Sequence, residues 1–287
     1  MDRVRYKLLT YGEQDQMSCK LNGPKKLRDD LLDEVTTPYR KLLFSLATHP
    51  TSFEGCEDYK GEVALFSYGS GIIYKKRGSL FGITAAHVIK EGTQKFDTTL
   101  VTSFGPLVLK NIPIKLLPKH DLAVFCIDRL LPRHSNIASN LQEMPVLNSD
   151  MIDDVSDAVF MGYPGDLNEV APDRGNPNLN PHSMNLKRSR MQVPDDIPVE
   201  CPVLFKYPRR ARLASATQRR FWRTTIKLPR PNGMSGGPVF HVSKDKSVAL
   251  LGIISKLQTT MLSSEIVVTQ IHAVEKYVLS KDVQSII

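Results

Sequence analysis

The sequence predicts a mainly β protein, and two observations carry that prediction. From about Thr51 almost to the end, short runs rich in Val, Ile, Phe and Tyr recur, separated by Gly, Pro, Asn and Asp. Many short strands at that spacing suit an all-β barrel or sandwich rather than alternating strand–helix units. A chain of 287 residues, 41% hydrophobic and 24% charged, is long enough for one large or two small globular units.

Taken in order, residues 1 to about 24 show no clear period, and Asn22-Gly23-Pro24 is a turn signal. From Lys25 to Thr48, apolar Leu27, Leu31, Val35, Tyr39, Leu42 or Leu43 and Leu46 recur at three- or four-residue spacing, which predicts an amphipathic helix. Thr37-Pro38 inside it looks like an N-cap followed by Pro at the first helical position, so two helices fit as well as one kinked helix. Such a helix packs against the main domain or offers its apolar face to a partner. The strands then read as Val63–Tyr68, Gly69–Tyr74, Ser79–Thr84, Leu107–Leu109, Leu122–Ile127, Ala158–Tyr163 and Ala249–Ser255. Val274, Tyr277 and Val278 fit one face of a short terminal helix. Residues from about 165 to 225, rich in Pro, Asn, Arg and Asp, read as a long insertion rather than core.

Charge and cysteine placement narrow the function classes. No apolar run reaches the length of a membrane span, and the start has no apolar core of a signal peptide. Cys19, Cys56, Cys126 and Cys201 lie far apart without a CxxC pair. We therefore expect neither a metal site nor a disulfide framework, no membrane contact, and reduced thiols in a cytoplasmic protein. The net charge of +8 is local: residues 201–244 hold ten Lys or Arg and no Asp or Glu. Arg209, Arg210, Arg212, Arg219, Arg220 and Arg223, with Phe205, Tyr207, Phe221 and Trp222, could contact nucleic acid, or form a solvated basic insertion.

The run with chemical potential is Asn232-Gly233-Met234-Ser235-Gly236-Gly237-Pro238. It is built for tight backbone geometry, since Gly tolerates regions of backbone space closed to other residues. A serine on such a turn can present its hydroxyl, with the amides of Gly233 and Ser235 converging on a developing oxyanion. An ordinary Gly-rich loop between strands accounts for it equally well. A serine nucleophile needs a base and a group that orients the base. His87 directly follows a strand after two small residues, and Asp121 opens a strongly apolar strand where an unpaired carboxylate is costly. His120 adjoins Asp121, but chain neighbours in a strand point to opposite faces. Taken singly, each residue fits a structural role as well as a catalytic one.

Thr84-Ala85-Ala86-His87, Asp121-Leu122-Ala123-Val124 and Gly233-Met234-Ser235-Gly236-Gly237-Pro238 occur in that order. They resemble the three signature segments of chymotrypsin-like (trypsin-type) serine proteases. Gly69-Ser70-Gly71, Met161-Gly162-Tyr163-Pro164 and Gly252-Ile253-Ile254-Ser255 are similar to the bacterial high-temperature-requirement branch. The resemblance implies two six-stranded antiparallel β-barrels with the site between them, an N-terminal helical extension (1–52) and a protease domain (53–287). Barrel one would span about 60–130 and barrel two about 145–270. It further implies a serine endopeptidase with His87 as base, Asp121 as its orienting partner, Ser235 as nucleophile, and Gly233 and Ser235 amides as oxyanion hole. The substrate would be a protein or peptide, with no cofactor or metal. The rival expectation is a silent protease-like fold serving as a binding or scaffold module.

Departures from the family pattern carry information. Val88 stands where extracellular relatives have cysteine, consistent with a reducing compartment. Met234 replaces the Asp that pairs with a freed N-terminus, so activation of that type is not expected. Pro229 stands where trypsin-like enzymes carry an acidic residue, and Ser255, Lys256 and Leu257 would wall the substrate pocket. Small or medium apolar side chains are therefore expected at the cleavage site. About thirty residues follow Ser255, so the C-terminal peptide-binding PDZ domain common in that branch is not expected.

Overall fold

The computed structural model describes residues 32, 34–48, 66–93, 98–109, 111–128, 130, 141, 143–164, 181–191, 193, 199–207, 231–243, 245–259 and 264–278. Two all-antiparallel sheets make the body. In chain order the strands are β1 Leu43–Thr48, β2 Phe66–Lys76, β3 Ser79–Ala85, β4 Thr98–Thr102, β5 Gly105–Val108, β6 Ile114–Leu117 and β7 Leu122–Cys126. The second set is β8 Asp157–Gly162, β9 His182–Lys187, β10 Pro202–Lys206, β11 Pro238–Val242, β12 Val248–Thr259 and β13 Ser264–Gln270. Among the described residues three α-helices accompany them: α1 (34–40), α2 Ala86–Thr93 and α3 Ile271–Val278.

The first sheet runs β5-β4-β1-β2-β3-β7-β6 and the second β10-β13-β12-β11-β8-β9. Each curls around its own apolar side chains. Phe44, Ile72, Ile83, Leu100 and Phe125 fill the first interior, and Phe160, Met184, Phe205, Leu251 and Ile266 the second. An antiparallel bridge between Arg188 and Phe205 joins the two ends of the second sheet, closing it as a barrel. The double barrel expected from the motifs is the observed architecture, with seven strands rather than six in the first sheet.

The N-terminal reading needs correction. The helix is continuous across Thr37–Pro38 and stops at residue 40, so no second helix starts there. Leu43–Thr48 is a strand inside the first sheet, between β2 and β4. Leu43, Phe44, Leu46 and Ala47 are all fully buried, which is the signature of a strand covered on both faces. Its three-residue spacing matched a helix by coincidence, while the unbroken Leu42-Leu43-Phe44 run pointed to the strand. A division at residue 52 therefore cuts a core strand away from its sheet.

Two further corrections concern strand limits. Residues 66–76 form one strand through Gly69 and Gly71, not two. A Cβ at Gly71 would stand 2.0 Å from the Phe44 ring, so glycine there lets β1 and β2 pack closely. The stretch expected as insertion holds β9 and β10, whose Met184, Leu186, Val203 and Phe205 are core residues. Residues 25–31, Val63–Leu65, Pro229 and the basic run 208–230 lie outside the described residues.

Candidate active site

The site lies where the two barrels face one another, and each part is held by the local backbone. β3 delivers Ala85, and the chain turns at once into α2, so His87 stands at a strand–helix junction. A short 3₁₀ turn, Pro118–His120, ends on Asp121 in the left-handed region (φ 49°, ψ 44°). Asp tolerates that conformation better than most residues. Buried Leu122–Cys126 then pairs with β3, and the Ala86 N–H donates to the Asp121 carbonyl at 2.9 Å.

This register brings acid and base together. His87 Nδ1 lies 2.8 Å from Asp121 Oδ2, and the His87 backbone N–H donates to Oδ1 at 3.0 Å. Ser255 Oγ, from β12 of the other barrel, donates to Oδ2 at 2.5 Å. Burial alone would raise the Asp121 pKa, but the His87 ring bond and charge, the Ser255 hydroxyl and the His87 amide outweigh it, leaving it below its ordinary 3.8. The carboxylate is therefore ionised and oriented by donors from both barrels. Ser255, expected in the substrate pocket, is 1% exposed with its hydroxyl turned to Asp121. Its side chain orients the acid and leaves only its backbone to face a substrate.

The Ser235 loop is two successive turns. The Met234 N–H donates to the Pro231 carbonyl and the Gly237 N–H to the Met234 carbonyl, both at 2.9 Å. Gly233 (φ 86°) and Gly236 (φ 87°) occupy their third positions, while Asn232 and Ser235 have negative φ. Both turns are thus type II, which asks for glycine at those points. Met234 is fully buried among the second barrel's core side chains and anchors the loop there. The Gly236 N–H donates to Ile254 at 2.7 Å. By contrast, the N–H groups of Gly233 and Ser235 donate to nothing among the described residues.

The loop is pressed against the first barrel. A Cβ at Gly236 would fall 2.1 Å from both the Ser70 carbonyl and Thr84 Oγ1, and 2.9 Å from the Ala85 nitrogen. Ser235, half-buried, is therefore fixed next to the strand end that carries His87. Leu257 pairs with Ile266, a fully buried residue that the sequence reading did not single out. Pro229 lies outside the described residues. His120, set aside earlier, faces Glu200 at 3.7 Å instead of the site. Ser70 and the orienting role of Ser255 were also missed; only the Gly69-Ser70-Gly71 run hinted at the former. Among the described residues no cluster of His, Cys, Asp and Glu could hold a metal ion.

Against known proteins, no family model matches the chain, and neither does any curated protein. Solved structures do match. The HtrA-type protease AlgW, determined with a decapeptide, aligns over 86% of this chain at TM-score 0.50 and 15% identity. The fold is the chymotrypsin-like double barrel of the HtrA-type serine proteases. The aligned part is 66% of AlgW, so the chain spans just under two thirds of that protein. An inactive serine-to-alanine form of Rv3671c from M. tuberculosis aligns over 86% of this chain and 89% of its own at TM-score 0.42 and 14% identity.

Proposed function

We propose that the chain is a serine endopeptidase working through an acyl-enzyme. The observation that carries it is the pairing of an oriented Asp121–His87 couple with a serine turn whose Gly233 and Ser235 amides are unspent. In this reading Ser235 Oγ attacks the carbonyl carbon of the scissile bond and its proton passes to His87 Nε2. Asp121 holds the Nδ1–H tautomer and stabilises the imidazolium. The two free amides receive the oxyanion. On collapse of the tetrahedral adduct the C–N bond breaks and His87 gives its proton to the leaving amine. Water, deprotonated by His87, then releases the acid and frees Ser235.

Substrate binding has a natural place. β11 pairs with β12 only as far as Ile253, whereas β12 continues to Thr259. Its Ser255–Thr259 edge on that side is unpaired among the described residues, and an extended peptide can add there as a strand. The decapeptide of AlgW supports a peptide ligand. Leu257, half-buried on that edge, would suit small or medium apolar side chains at the cleavage site. The test is labelling with a fluorophosphonate probe. The native chain takes label and Ser235→Ala takes none. A native chain that stays unlabelled with peptide present would remove the enzyme reading and favour a silent binding module.

A further inference from the structure

We infer that Ser70 is a positioning residue that keeps the Ser235 loop in its oxyanion-binding form; this rests on the peptidase reading above. Ser70 lies on β2 of the first barrel, is fully buried, and spends every polar group on the second barrel or its neighbours. Its N–H donates to the Ser235 carbonyl at 2.8 Å. Its hydroxyl donates to the Gly233 carbonyl at 2.6 Å and accepts the Tyr163 N–H at 2.8 Å. Its own carbonyl accepts the Thr84 hydroxyl at 2.6 Å.

One residue therefore fixes the carbonyls of Gly233 and Ser235, the two residues whose N–H groups are left unspent. Type I and type II turns differ by reversal of the central peptide. In the Pro231–Met234 turn that peptide carries the Gly233 N–H, so the same turn in its type I form would aim that donor away. Tying the Gly233 carbonyl limits the rotation through which the reversal passes. A hydroxyl is needed because the group must donate to one barrel-two segment and accept from another. The surroundings are tight: a Cβ at Gly162 would stand 3.0 Å from Ser70 Oγ and 3.2 Å from Met234 Cα. Alanine at position 70 leaves the Gly233 carbonyl and the Tyr163 N–H without partners.

The test compares full-length native protein, Ser70→Ala, Ser70→Gly and Ser45→Ala on a chromogenic peptide ester or amide. Ser45 is the equally buried Cα partner of Ser70 on β1, and its hydroxyl, 3.4 Å from the Gly69 carbonyl, serves as a matched control. Positioning predicts that kcat in both Ser70 variants falls by about 10²-fold, the scale for loss of one oxyanion donor. KM and the pH profile stay as in the native enzyme, because the His87–Asp121 couple is untouched. A peptide aldehyde, whose adduct oxygen takes the oxyanion place, weakens by a similar factor, and Ser45→Ala keeps its kcat. Native kcat in the Ser70 variants, a change in KM alone, or failure of both to fold while Ser45→Ala folds would each overturn the inference. A native chain without turnover sinks the proposed function and this inference together, whereas an active native chain matched by Ser70→Ala sinks the inference alone.

Discussion

Gly236→Ala is the substitution that interrogates the site most directly. The new methyl would fall 2.1 Å from the Ser70 carbonyl and from Thr84 Oγ1, where ordinary contact begins near 3.4 Å. Relief requires a displacement of about 1.3 Å by backbone on one side, since neither the Ser70 carbonyl nor the Ala85 nitrogen is a flexible side-chain tip. Alanine at φ 87° adds backbone strain, at about 1–3 kcal/mol, and the crowding adds about 1–3 kcal/mol. We expect a stability loss of about 2–6 kcal/mol in urea unfolding. A misplacement on the order of 1 Å at a reacting group costs about 10² in rate, so kcat/KM on a peptide substrate should fall by at least that. Near-native stability together with near-native kcat/KM would show that the loop does not rest on β2 and β3 as described.

Two further substitutions separate charge from packing. Asp121→Asn keeps the shape but favours the wrong His87 tautomer, and kcat should drop on the order of 10⁴-fold, read from initial rates at neutral pH. The same pair gives a pH signature. The Asp121 pKa is lowered on folding from 3.8, so the stability it contributes is full above that value and lost as pH falls through the lower folded one. Urea midpoints of the native chain and Asp121→Asn should therefore converge in acid; a constant gap down to pH 3 would refute the link. Met234→Ala opens a hole under the loop at a site with no exposure, and calorimetry should show a loss of about 2–5 kcal/mol. Activity should fall as well, because the loop loses its anchor.

Legibility in the sequence followed the type of constraint. Ser79–Ala85 and Leu122–Cys126 could be read because each is a short β-branched or aromatic run beside turn residues. The glycines at 233 and 236 could be read as turn residues because positive φ leaves few alternatives. Leu43–Thr48 could not be separated from a helix by spacing, since a strand buried on both faces has no two-residue alternation to display. His182–Lys187 and Pro202–Lys206 were hidden by the polar, proline-rich segments around them. At the site, His87, Asp121 and Ser235 stand out through the motifs that carry them. Ser70 and Ser255 act through hydroxyl bonds that reach groups 163 and 134 positions away. Nothing local in the chain marks such a bond, so only the folded geometry reveals it.

Those long bonds explain why two barrels are needed. The turn carrying Asp121 belongs to the first barrel, yet the second holds it at three points. Ser255 bonds the carboxylate, Thr269 Oγ1 donates to the His120 carbonyl at 2.8 Å, and the Glu200 N–H donates to the Lys119 carbonyl at 2.8 Å. In return Ser70, on the first barrel, holds the Ser235 loop of the second. Each barrel thus fixes the part of the site that the other contributes. Asp121 sits in a left-handed conformation that a free turn would leave readily, and the clasp from barrel two keeps it there. The geometry of the candidate triad and the docking of the barrels are therefore coupled: Val159, Met161, Phe240 and Ile253 of the second sheet pack into the same apolar cluster as the first barrel, so a change that loosens this seam loosens the site with it.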